Sequence, residues 1–262
     1  MAKDILNLQF FILVMIISFF EEYPNTKNLR KLKLVKWPTK LYIAAKSAAE
    51  FQKITSKIRN KNVKEIVYWP VLDKQEGYWI SPFSKTNALK RIFLELEGEK
   101  IPVMLDLELP TTQNPLLYLT QSFNFYRNKA LIGDFIRNYE GKLYLAEYYP
   151  QGKIPELWLS WLGLHYVYPT TQVIKMMYHS MHYFKEEFVR AEFQRGVQEL
   201  GNRFVVGLGT IAVGVMGNEP ILSLKQLQQD LQLAKNAGVK EVIIFRLGGL
   251  DVEYAATIES LH

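Results

Sequence analysis

Cysteine is absent from the 262 residues, which excludes disulfides and thiolate metal sites and leaves the compartment open. Acidic residues are nearly missing from Lys27 to Lys64, where twelve Lys or Arg face one acid, Glu50. That run carries a local +11 in a chain whose net charge is +6, so the remainder is acidic. A basic run of this kind marks an anionic surface or a solvated helix face. Charge is missing altogether from Ile5 to Phe20, sixteen residues that approach the lower limit for a membrane-spanning helix. No small-x-small cleavage site follows; Glu21, Glu22 and Tyr23 come instead, which argues against a cleaved signal peptide. The segment reads as a membrane-associating N-terminal helix, and residues 1–37 as that helix plus a basic linker. The side of the membrane stays open. Were the segment to span, the basic run would hold the rest of the chain in the cytoplasm. No nucleic-acid partner is expected.

A composition of 48% hydrophobic and 22% charged residues is that of a folded chain, long enough for one large core. From Pro38 onward, strand and helix patterns alternate. Strands are expected at Leu41–Ala45, Val63–Trp69, Pro102–Leu109, Lys142–Tyr148, Leu164–Tyr168, Arg203–Gly209 and Glu241–Leu247. Helices are expected at Ala48–Asn60, Lys85–Glu97, Leu116–Tyr139, Pro155–Leu162, Thr171–Leu200, Ser223–Ala237 and from Asp251. Alternation at this spacing predicts parallel β/α units. An open doubly wound sheet would carry G-x-G-x-x-G after its first strand, and Ala44-Ala45-Lys46-Ser47-Ala48-Ala49 stands there instead. The expectation is a (β/α) TIM-type barrel over residues 38–262, irregular or incomplete because seven strands are counted rather than eight.

Within that rhythm Ile101–Pro110 is unusual. Val103, Met104, Leu105 and Leu107 make a buried strand, yet Asp106 and Glu108 sit near its end. Side chains alternate faces along a strand, so the two carboxylates point the same way. Burying bare carboxylates is costly unless they are paired or lie at a solvated rim, so a strand ending in D-x-E before a proline reads as the floor of a site. Sites of β/α barrels gather at the C-terminal strand ends. Those ends and the loops after them offer Trp69, Tyr78, Trp79, Glu147, Tyr148, Tyr166 and Arg246. Flat aromatics stack on sugar rings, and acids protonate or attack glycosidic bonds.

The Asp106-Leu107-Glu108 strand end resembles the D-x-E strand of TIM-barrel glycoside hydrolases, as in chitinase-like and lysozyme-like muramidase barrels. The resemblance implies Glu108 as general acid, Asp106 as its modulator, a carbohydrate substrate, and no metal or organic cofactor. The muramidase-like pattern also places an acid on the first strand, where Leu41–Ala45 has none. Glu147 is the expected second carboxylate, and Trp69, Tyr78, Trp79, Tyr148, Tyr166 and Arg246 the expected substrate contacts. Gly217-Asn218-Glu219-Pro220 is similar to the N-E-P acid motif of retaining glycosidases, but it follows the sixth strand counted and reads as a loop into the helix capped by Ser223. His179 and His182, three apart in an expected helix, read as packing or surface residues.

Two other classes compete. A non-catalytic barrel binding a glycan or lipid headgroup would keep the aromatics and tie Asp106 and Glu108 to Arg246. A sugar-phosphate enzyme would hold an anion on the backbone amides of Gly248 and Gly249.

Overall fold

The computed structural model describes residues 15–110, 116–148 and 156–261. Eight strands, all parallel, close into one barrel in sequence order: β1 (Ile16–Glu21), β2 (Thr39–Ala45), β3 (Val63–Pro70), β4 (Val103–Leu107), β5 (Leu143–Tyr148), β6 (Gln172–Met176), β7 (Phe204–Gly209) and β8 (Glu241–Phe245). Closure is made by β1 against β8, in register from Ile16 opposite Glu241 to Phe20 opposite Phe245. The helices between them are α1 (Thr26–Leu29), α2 (Ala48–Thr55), α3 (Thr86–Glu95), α4 (Leu116–Thr120), α5 (Phe125–Asn138), α6 (Glu156–Leu162), α7 (Glu186–Leu200), α8 (Leu224–Asn236) and α9 (Val252–Glu259). Ser223 and Asp251 cap α8 and α9 through their side chains, accepting from Gln226 N and Tyr254 N.

Two expectations are corrected. Ile16–Glu21 is the first barrel strand and not part of an apolar helix, so the barrel starts well before residue 38 and has its eighth strand. Buried parallel strands read as continuous apolar runs, and such a run is indistinguishable from a hydrophobic helix by periodicity alone. Residues 5–14 of that expected helix lie outside the described residues. Among the described residues no helix is long and apolar enough to cross a membrane. The sixth strand is Gln172–Met176 instead of Leu164–Tyr168, and the helix expected from Thr171 starts only at Glu186.

Alternation along each strand sorts the core into two layers. Phe20, Tyr42, Ala44, Val67, Trp69, Met104, Tyr144, Ala146, Ile174, Val205 and Ile243 fill the lumen. Their neighbours, among them Ile17, Phe19, Leu41, Ile43, Val103, Leu105, Leu107, Leu143 and Leu145, pack outward with the surrounding helices. The N-terminal end of the lumen is closed by a polar plug. Glu241, 4% exposed, accepts from Ser18 Oγ (2.8 Å), Tyr42 Oη (2.9 Å) and Lys40 Nζ (2.5 Å). Tyr144 donates to Glu65 at 2.6 Å in the same layer. Buried charge is tolerated there because each group meets an opposite charge or a hydrogen bond. Among the described residues the opposite, C-terminal end is open.

Candidate active site

The open end holds a cavity of about 320 Å³, at the small end of the range for ligand sites. Its floor follows from strand parity. Met104 faces the lumen, so Asp106 and then Glu108 do as well, and both line the cavity. The same rule carries Phe20 of β1 to Glu22, Trp69 from β3, and Ala146 to Tyr148 on β5, all of them lining residues. The loop after β3 brings Trp79, tied down by Ile80 N donating to Asp106 O at 3.0 Å. The loop after β6 contributes Tyr178, Met181 and His182, and the loop after β7 contributes Val215, Met216 and Glu219.

Four carboxylates therefore meet in one cavity: Glu22, Asp106, Glu108 and Glu219. Asp106, 5% exposed, is hydrogen-bonded to Glu108 and faces the Trp69 indole. Its Oδ1 and the Trp69 Nε1 nevertheless lack a hydrogen bond of normal geometry. Burial, then the charge of Glu108, pushes the Asp106 carboxyl well above the ordinary carboxylate range. Burial also raises Glu108, to about 7, against hydrogen bonds from Tyr148 and Asp106 that hold it down. The two carboxyls therefore titrate as a pair. Glu22 is likewise carried to about 7 by burial, opposed by the Tyr78 hydroxyl that donates to its Oε1 at 2.5 Å. Tyr78 reaches that position with φ of 64°, a left-handed conformation uncommon for a bulky residue and of the kind found where geometry serves a site.

Of the residues expected from sequence, Asp106, Glu108, Trp69, Trp79 and Tyr148 come together here. Tyr78 stands behind Glu22 as its hydrogen-bond partner instead of lining the cavity. Glu147 does not belong to the site. It is the register partner of Leu107, one residue out of phase with Asp106 and Ala146, so it points away from the lumen. There it is fully buried and held by Lys175 Nζ at 2.7 Å, His165 Nδ1 at 2.8 Å and Tyr166 N at 3.3 Å. Lys175 is also its register partner across β5 and β6. Tyr166 lies on that same outer side, its hydroxyl donating to Lys129 O at 3.3 Å.

Arg246 follows lumen-facing Phe245 and is out of phase too. Its guanidinium donates to Glu21 Oε1 (3.1 Å) and to Val213 O (2.8 and 3.0 Å), pinning the loop that carries Glu219. It does not reach Asp106 or Glu108, and among the described residues no Lys or Arg lines the cavity. The anion expected at Gly248-Gly249 is supplied by the protein itself, because Gly248 N donates to Glu21 Oε2 at 2.6 Å. Among the described residues no three His, Asp or Glu side chains converge in a metal-binding arrangement.

Sequence reasoning missed Glu22 and undervalued Glu219 and His182. The signal for Glu22 was the one used for Asp106: an acid directly after a short apolar run. His182 is in a loop, 177–185, not a helix. His179 beside it pairs with the buried Asp230 at 2.8 Å, away from the cavity.

No protein family and no curated protein matches the chain by sequence. Solved structures match it by fold. The glycoside hydrolase domain of PgaB (BpsB) from Bordetella bronchiseptica superposes with a TM-score of 0.56 at 12% identity, covering 94% of this chain and 97% of that one. A 3-keto-D-glucoside 4-epimerase from E. coli gives 0.52 at 16% identity, covering 95% and 99%. A chitinase from Chromobacterium violaceum gives 0.51 at 10% identity, covering 95% and 99%. These likenesses establish that the chain is a complete eight-stranded β/α barrel of the TIM type, a fold that hosts many chemistries.

Proposed function

We propose that the chain is a glycoside hydrolase-like barrel that acts on a glycan by carboxylate acid/base catalysis, with Glu108 as proton donor and Asp106 as the partner that tunes it. The observation that carries this reading is the Asp106–Glu108 pair at the cavity floor, Asp106 buried and Glu108 half-buried, where desolvation pushes the Glu108 carboxyl up to about 7. A general acid works best when its pKa lies near the working pH. Protonated Glu108 would give its proton to the glycosidic oxygen as the C–O bond breaks, and Asp106 would stabilise the carboxylate left behind. A water would then bond to the anomeric carbon and return one of its protons to Glu108. The positive charge developing on the sugar then forms in a cavity of acids and aromatic faces, which favours it. Trp69, Trp79 and Tyr148 would frame the ring. Hydrolases and a sugar epimerase share the fold, so the likeness supports a sugar substrate and leaves the reaction to the site's chemistry.

The competing readings lose their particular supports. Asp106 and Glu108 are not neutralised by Arg246, as a closed binding-only mouth would require. The Gly248 amide that would take a phosphate is occupied by Glu21. The test is Glu108→Gln assayed by reducing-end release from a panel of polysaccharides. Turnover should fall by about a hundredfold or more with the melting temperature retained. Unchanged turnover in a substrate the parent cleaves would overturn the assignment.

A further inference from the structure

The Asp106–Glu108 floor accounts for two of the four acids in the cavity. Glu22 and Glu219 remain, and they come together over Gly214. A Cβ added at Gly214 would lie 2.7 Å from Glu22 Oε2 and 3.0 Å from Glu219 Oε1. The two side chains are 6% and 8% exposed. Each has one oxygen bonded, Glu22 Oε1 to the Tyr78 hydroxyl (2.5 Å) and Glu219 Oε1 to Met216 N (3.0 Å). Each leaves its Oε2 buried with no partner. A buried carboxylate oxygen without a protein donor is costly, so a ligand group that brings donors is favoured there.

Among the described residues no Lys or Arg lines the cavity, and Arg246, whose charge Glu22 feels, spends its N–H donors on Glu21 and Val213 O. Beside the acids stands an aromatic wall. Phe20, Trp69 and Phe245 have ring centroids 5.6 to 6.5 Å apart, and Phe245 Cζ lies 2.7 Å from the same Gly214 position. Paired carboxylates next to aromatic faces suit an ammonium group, which brings several N–H donors and a charge that the ring faces attract. Anionic sugars are disfavoured by charge. An acetamido or hydroxyl group brings at most one donor and no charge.

We infer that Glu22 and Glu219 form a recognition site for a cationic group on the substrate, the ammonium of a sugar bearing a free amine, with Phe20, Trp69 and Phe245 as its wall. The inference rests on the glycan reading of the cavity, and it assigns these two acids to binding instead of proton transfer.

The experiment compares binding of three probes to the full chain at neutral pH, where Glu22, raised to about 7, is substantially ionised and a sugar amine still carries its proton in large part: the methyl β-glycosides of glucosamine, N-acetylglucosamine and glucose. The amine should bind about tenfold or more tightly than either other probe, the range expected of a hydrogen bond to a charged group. Glu22→Gln and Glu219→Gln, checked for folding by melting, should each cut that preference to about threefold or less. Glu108→Gln should keep it, while its own turnover reports separately on hydrolysis. Equal affinities, a preference for the acetamide, or no binding by any probe would overturn the inference without touching the role of Glu108. A preference that survives both Gln variants would overturn its assignment to these residues. Should either variant fail to fold, the comparison of probes on the parent protein still decides.

Discussion

Replacing Tyr148 with Phe tests the polarity of the proton-holding pair directly. The Tyr148 hydroxyl is hydrogen-bonded to Glu108 and favours its charged form. A hydrogen bond to a charged group contributes about 1.5–3 kcal/mol, and one pKa unit corresponds to about 1.4 kcal/mol, so complete loss would raise Glu108 by about 1–2 units. Tyr148 is 36% exposed at the rim, and water replaces part of what is lost, which reduces the expected rise to about 0.5–1 unit. Glu108 should therefore move upward from about 7.

The assay is a carbon NMR titration of side-chain carboxyls, with Glu108 assigned by its disappearance in Glu108→Gln. Asp106 and Glu108 titrate as a pair, and the lower of the two macroscopic steps is the one to follow. Stability supplies a second readout. A carboxyl whose folded pKa is raised contributes fully below its unfolded value and loses that contribution as pH rises through the folded one. Tyr148→Phe should accordingly lower stability by about 0.7–1.4 kcal/mol above pH 8 and leave this contribution unchanged at about pH 4. A titration unmoved within about 0.2 units, or one that falls, would refute the hydrogen-bond assignment and with it the picture of Glu108 as a carboxylate held by two donors.

Three further outcomes follow from the same geometry. Glu22 and Glu108 are both raised from 4.5 to about 7, so the parent should be more stable near pH 5 than near pH 8 by roughly 2–3 kcal/mol for each group. Thermal melts across that window check this, Glu22→Gln and Glu108→Gln should each flatten the dependence, and a parent melt that does not change would contradict the buried-acid account. Lys175→Met strands the fully buried Glu147 carboxylate with His165 and the Tyr166 amide, and should cost about 3–5 kcal/mol, read as a melting point lower by about 10 °C. Glu147→Gln combined with Lys175→Met should recover much of that loss, whereas a Lys175→Met protein as stable as the parent would disprove the buried pair. Glu147→Gln by itself should leave turnover per folded molecule intact; a loss comparable to that of Glu108→Gln would return Glu147 to the catalytic set.

Much of the architecture is legible in the residues. The alternation of strand and helix patterns, the caps Ser223 and Asp251, and the absence of a glycine-rich first turn all lead to a parallel barrel. The common face of Asp106 and Glu108 is legible as well, because a two-residue period is a property of any strand. Glu147 shows the limit of that reasoning. Parity along β5 separates Glu147 from Tyr148, but which of the two faces inward depends on registration with β4, where Ala146 pairs with Asp106. Arg246 and Glu22 fall on opposite sides of the wall for the same reason. The first strand was hidden because a fully buried parallel strand and an apolar helix carry the same residue types, and hydrogen bonding to β8 and β2 is what separates them. Local sequence thus determined that acids would stand at strand ends and that two of them would share a face. Only closure of the barrel decided which acids meet, since Glu22, Asp106, Glu108 and Glu219 come from residues nearly two hundred apart and are brought to one cavity by the pairing of β1 with β8.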